Sequence, residues 1–386
     1  MLPNAFLGLG LALIVAGFTV GGAALLFPGQ AVALARVHGE LLVFGALPTL
    51  VCGFALRLLP RFFGAPPPRG LVPALVLAPF AVGAALRVAA ALAGPAGEPL
   101  RAVASLLTLA GAAVFAATSV RLVRGRFTDQ PAQAGLFVLA ALWLPVAAAL
   151  DLASPLVPRA TALDALLWGF AAGHILAVFT RTAPAFVAAR PLPERAIRPI
   201  VLLWNAGLAT ALLGVTAGWL GALGAVLLLV VASRLYGRGI ARAQIPPGAR
   251  LIRAALRCAF GWLIVALGLL TLRAAEQLFG LATPVHTGAA RHALTLGFLM
   301  PFIYAYGSRL VPVLTGSAPP GMRAVLLTVV LANLGAALRV GADALVMDAD
   351  IARAVVALSA VSAAAALLLF VGMTARRLRA GALAMV

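Results

Sequence analysis

Apolar stretches long enough to cross a bilayer recur from one end of this chain to the other, broken only by short segments rich in Pro, Gly and Arg. A helix needs roughly 20 apolar residues to span about 30 Å of hydrocarbon, so this recurrence makes the membrane the solvent and an all-α integral membrane fold the expectation. Composition agrees. The 386 residues are 63% hydrophobic and 10% charged, whereas a water-soluble domain needs roughly 25% charged residues to cover its surface. Disorder is excluded by the apolar content, and a disulfide scaffold by Cys52 and Cys258, which both lie inside apolar runs.

The periodicity predicts twelve spans, near 5–27, 38–60, 71–94, 100–122, 134–155, 163–186, 198–216, 219–236, 251–273, 289–312, 322–343 and 351–375. The first reads as a retained helix, since MLPNAFLGLG has no basic n-region and the run exceeds a signal-peptide core. The chain has no Lys, so all 29 cationic side chains are Arg, and they give most of the formal +19 its location: single residues between apolar stretches. A nucleic-acid partner would want them clustered on one polar face, and none is expected. Loops after even-numbered spans hold Arg61, Arg69, Arg121, Arg124, Arg126, Arg190, Arg195, Arg198, Arg234, Arg238, Arg242, Arg250 and Arg323, and the tail adds Arg376, Arg377 and Arg379. Loops after odd spans hold little beyond Arg36, Arg101, Arg159 and Arg353, together with Glu98, Glu276, Asp348 and Asp350. The positive-inside rule then predicts cytoplasmic N- and C-termini.

The chain also matches itself. Gly45, Arg57, Pro60 and Gly64 of span 2 fall on Gly297, Arg309, Pro312 and Gly316 of span 10 at one offset, 297 − 45 = 252. The same offset carries Pro67 and Pro68 onto Pro319 and Pro320, and the GAALR ending at Arg87 onto the GAALR ending at Arg339. Span 6 joins through Gly169, Arg181 and Pro184 at 169 − 45 = 124. One transmembrane domain of three four-helix units, about 1–126, 127–250 and 251–386, related by pseudo-threefold symmetry, is therefore expected, with sites where the inward helices meet.

The repeated R-x-x-P reads as an Arg that snorkels to the interface beside a Pro that stops the helix, with ligand or proton handling as the alternative. The four histidines are His38, His174, His286 and His292, and an ionisable or coordinating residue in a span is a functional hypothesis by default. His38 and His292 open the equivalent spans 2 and 10 toward the outer face. They are two residues out of register, with Glu40 at the position equivalent to His292. Two residues turn a helix by about 200°, so the two imidazoles can face one object from different sides, and a porphyrin with two axial histidines fits. The competing reading makes both interfacial caps bonded to backbone. His174 lies deeper and is either a satisfied core residue or a metal ligand; His286, in the loop ATPVHTG, is either solvated or an auxiliary copper ligand. Arg87 and Arg339 fall in the outer halves of spans 3 and 11 and need anions. Haem propionates are one choice, and Glu40, Asp151 and Asp343 are the other.

The stretches VHGELLVFGALPTLVCGFALRLLPRFFG and RHALTLGFLMPFIYAYGSRLVPVLTG resemble the corresponding helices of the NnrS family, bacterial membrane proteins implicated in nitric oxide resistance and described as carrying haem and copper. The three four-helix arcs are also similar to subunit I of the haem–copper oxidases. The resemblance implies a bacterial inner-membrane protein of the nitric oxide response, with His38 and His292 as a haem-axial pair. Copper near His286 or His174 and an unidentified electron-transfer partner are further implications. Span 7, VLLWNAGLATALLGV, has no His, and span 10 carries Ala290 two residues before its single His292. A binuclear oxygen- or nitric-oxide-reducing centre is therefore not expected, which disfavours a quinol- or cytochrome-linked reductase. A cofactor-free transporter or metal-assembly protein is the remaining alternative.

Overall fold

The computed structural model describes residues 2–124, 130–237, 247–280, 287–345 and 348–383, and among them all regular structure is helical. In chain order the helices are α1 (Leu2–Leu26), α2 (31–63), α3 (Val72–Ala93), α4 (Glu98–Val123), α5 (Pro131–Leu152), α6 (Arg159–Val187), α7 (Glu194–Leu212), α8 (Gly218–Ala232), α9 (Pro247–Phe279), α10 (287–315), α11 (Met322–Ala344) and α12 (Ala349–Leu383). Each expected span overlaps one of these helices. Nine stretches among the described residues are long and apolar enough to cross a membrane. One of them, Val72–Val123, contains both α3 and α4, joined at Gly94–Gly97, while α7 and α8 fall outside the nine. The chain forms two compact units, Met1–Val178 and Phe179–Val386, whose boundary falls inside α6 and not at a repeat boundary.

Three local features recur at, or within two residues of, the 124 and 252 offsets. First, α2, α6 and α10 each contain a widened π-helical stretch, at Glu40–Ala46, Ala165–Ala172 and Ala293–Leu299. Short π segments inside α-helices often mark functional positions. Second, each of these helices runs three residues past its Pro and ends at a left-handed residue: Gly64 (φ 63°), Ala188 (φ 51°) and Gly316 (φ 66°). The expectation that Pro60, Pro184 and Pro312 stop their helices is thereby corrected. In α2 and α10 the stop is the left-handed glycine, whose N–H donates to the carbonyl of Pro60 or Pro312. Third, Gly83, Gly207 and Gly335 let the backbone of the next helix approach. A Cβ there would meet Ala104 O at 3.3 Å, Gly218 O at 2.6 Å, and Ala363 N and Ser359 O at 3.1 Å. Small residues permit such close helix pairing where lipid removes the usual hydrophobic drive between helices.

The glycine shared by α2, α6 and α10 lies against a neighbouring helix, and in α6 and α10 that is the helix before it. In the first unit Gly45 lies against Leu13 and Ala84, and Gly169 receives the Trp143 indole. In the second unit Gly297 receives Trp262, whose Nε1–H donates to Asn333 Oδ1 at 3.0 Å.

Candidate functional site

In the first unit, α2 starts at Ala31, seven residues before the expected boundary, so His38 stands two turns inside the helix and does not open it. Its Nδ1 lies 2.8 Å from Gly17 O of α1, and its ring packs edge-on to Phe18, with centroids 6.4 Å apart. Gly21 is the seat: a Cβ there would collide with the imidazole. A carbonyl can only accept, so Nδ1 carries a proton and donates.

Two residues further on, Glu40 enters a buried ionic cluster built from α2, α3, α4, α5 and α6. Arg87 NH1 lies 2.7 Å from Asp151 Oδ2 and 3.6 Å from Glu40 Oε2, and its NH2 donates to Ser105 Oγ at 3.1 Å. Ser105 Oγ donates in turn to Asp151 Oδ2 at 2.6 Å. Arg159 bonds Glu40 and reaches Asp151 Oδ1 at 3.3 Å. The Phe44 ring lies under both guanidinium groups, at 4.2 Å from Arg87 and 5.3 Å from Arg159. Two cations and two carboxylates balance, which a low-dielectric interior demands. Arg87 was expected either to await haem propionates or to pair with nearby acids; its side chain is fully enclosed against protein carboxylates.

The second unit carries the equivalent register with different chemistry. His292 Nδ1 lies 2.6 Å from Asp343 Oδ2, and Arg339 lies 3.3 Å from both partners, by Nε to His292 Nδ1 and by NH2 to Asp343 Oδ1. Arg339 contacts His292 as Arg87 contacts Glu40, each pair related by 252 (292 − 40, 339 − 87). This site is more open: the side chain of His292 is 30% exposed, against 2% for Glu40.

His174 is buried on α6 between Phe115 and Phe170, its Nδ1 2.8 Å from Phe170 O and its Nε2 enclosed without a hydrogen-bond partner. His286 lies outside the described residues. Among the described residues no three His, Cys, Asp or Glu side chains gather as a metal-binding group. Each of the other three histidines nevertheless has Nδ1 tied to an oxygen, as metal-ligating imidazoles have. His38 and His292 belong to different compact units.

Sequence reasoning missed Arg159, taken for a loop residue, and Ser105; the imbalance of one Arg against two acids in this segment was the available signal. It also missed Arg253. That side chain is 6% exposed, and its five donors reach the carbonyls of Val187, Ala188, Arg234, Leu235 and Gly237 at 2.9–3.4 Å.

Repeated apolar spans, close small-residue helix pairs and a charge-balanced ionic cluster enclosed between helices define a multi-pass helical membrane protein. The chain belongs to the NnrS family: the model of the NnrS protein matches residues 4–380. No curated protein matches it.

Proposed function

We propose that this NnrS-family chain is a haem-binding protein of the bacterial inner membrane that acts in the nitric oxide response, with His38 and His292 as the haem ligands. The observation that carries the reading is the His292–Asp343 hydrogen bond, supported by the Nδ1 anchoring of His38 on Gly17 O. A neutral imidazole with its other nitrogen bonded to a carboxylate or carbonyl is the ligand form that haem iron takes. When bound, haem would supply a redox-active iron. The chain orients the imidazoles, holds their protons on Nδ1 and neutralises charge nearby. Arg339 remains a candidate partner for propionates, whereas Arg87 acts structurally within its carboxylate cluster.

The twelve-helix, three-unit architecture with both termini cytoplasmic belongs to the same proposal. Nine stretches qualify as spans; separating α3 from α4 and adding α7 and α8 gives 9 + 1 + 2 = 12. The recurring π segments, left-handed ends and close-approach glycines support the repeat. Copper at His174 or His286 remains a secondary proposal, for which the enclosed Nε2 of His174 is the supporting feature. The competing cofactor-free transporter reading draws on His38, whose contacts with Gly17 and Phe18 also suit a plain structural cap. Ferric haem titrated into the detergent-purified chain separates them. A low-spin absorption spectrum saturating at one haem per chain is expected; absence of any haem spectrum refutes the proposal.

A further inference from the structure

The third repeat brings a histidine and an aspartate together where the others do not. Position 292 corresponds to Glu40 and Asp164, and position 343 corresponds to Ala91 and Val215 (343 − 252 and 343 − 128, with 252 − 124 = 128). The scaffold shared by the repeats therefore requires neither member of the His292–Asp343 pair. Arg339, by contrast, is shared with Arg87, and each lies against the side chain at the equivalent position of the preceding helix, Arg87 by NH1 against Glu40 Oε2 and Arg339 by Nε against His292 Nδ1.

The contacts around His292 decide its protonation pattern. Nδ1 cannot both donate to Asp343 Oδ2 and accept from Arg339 Nε. The 2.6 Å contact has the length of a short, charge-assisted bond, while the 3.3 Å contact is long, so Nδ1 donates to the carboxylate. Arg339 NH2 then holds Oδ1, the other oxygen of Asp343, one helical turn away on α11. Gly288 lies beside the pair, where a Cβ would make ordinary contact with Asp343 Oδ2 at 3.4 Å. Asp343 is thus oriented by Arg339 through the oxygen that His292 does not use.

We propose that Asp343 is a positioning residue, held by Arg339, that keeps His292 in the Nδ1–H tautomer and so presents the Nε2 lone pair to the metal. The identity of that metal, haem iron, rests on the function proposed above; the tautomer does not. Asp343 touches no ligand itself. Its negative charge beside His292 would favour the ferric over the ferrous state of iron held there, because it would offset the positive charge gained on oxidation.

The test uses the full-length chain with ¹⁵N-labelled histidine, with the His292 signals assigned by their loss in His292→Ala. In the ligand-free wild type, His292 should show a protonated Nδ1 and an unprotonated Nε2, and Asp343→Leu should abolish this preference. Ferric haem should bind about 10–100-fold more weakly to Asp343→Asn and Asp343→Leu. Each tenfold loss of ferric preference should raise the midpoint potential by about 59 mV. Asp343→Glu should restore part of both, and Asp350→Asn, a change at an exposed residue paired with Arg353, should alter neither. A wild-type His292 protonated on Nε2 overturns the proposal without reference to haem or to variant folding. So does an Asp343→Asn chain with unchanged affinity and potential. If the wild type binds no haem but shows the Nδ1–H tautomer, the haem reading fails and the positioning role stands.

Discussion

Replacing Arg87 by Met offers the sharpest energetic test of the buried cluster. At 2.7 Å from Asp151 Oδ2, the attraction between the two charges at an effective dielectric of 20 is about 6 kcal/mol, most of it offset by desolvation. Removing Arg87 alone leaves Glu40 and Asp151 facing Arg159, one buried negative charge in excess, and the expected loss is about 3–5 kcal/mol. Asp151→Leu alone leaves the opposite excess and a comparable loss. The double variant Arg87→Met/Asp151→Leu keeps Arg159 with Glu40 and is electrically balanced, so it should sit within about 2 kcal/mol of the wild type. Reversible unfolding in mixed detergent micelles, followed by circular dichroism, gives the four corners of the cycle. A double variant that loses the sum of the two single losses refutes the reasoning, as does an Arg87→Met chain that loses under 1 kcal/mol.

Arg253→Lys offers three donors to carbonyls that now engage five, so the same unfolding assay should show a loss of about 2 kcal/mol, with Arg253→Met losing more. Ala188→Gly should stabilise the chain by up to about 1 kcal/mol, since Ala188 holds φ at 51° where only glycine is unstrained; the mirror change, Gly316→Ala, should cost about 1–2 kcal/mol. Gly297→Val should drive a side chain into Trp262 and lower stability by about 1–3 kcal/mol, seen also as altered tryptophan fluorescence. Reporter fusions after Val386 and between α1 and α2, within 27–30, should report opposite sides of the membrane; the same side for both contradicts the proposed topology.

Much of the helical layout was legible because hydropathy, Pro and Gly mark span ends directly, and the offsets of 124 and 252 could be read from Gly, Arg and Pro alone. The GAALR repeat pointed to real geometry, since its glycines, Gly83 and Gly335, are the close-approach positions. The π segments left no trace in residue type: one wider turn needs only a local change of hydrogen-bond partner, and Leu, Ala, Gly and Phe tolerate either form. The left-handed end at position 188 was hidden by an alanine where its equivalents are glycines. In the site, the scarcity of acids named Glu40, Asp151 and Asp343 as partners for Arg87 and Arg339. Which acid meets which arginine depends on helix rotation and could not be read. Arg253 was invisible for a simpler reason: its partners are backbone carbonyls, which carry no sequence signature.

Haem ligation by His38 and His292 is the claim on which the proposed function stands, and electron paramagnetic resonance of the ferric protein tests it most directly. The wild type should give a low-spin signal typical of two imidazole ligands. His38→Ala and His292→Ala should each convert or abolish it, while His174→Ala should leave it intact, because that ring is enclosed by Phe115 and Phe170 elsewhere on α6. An unchanged low-spin signal with both His38 and His292 replaced would contradict the account, and equal loss in His174→Ala would move the haem to the deeper histidine.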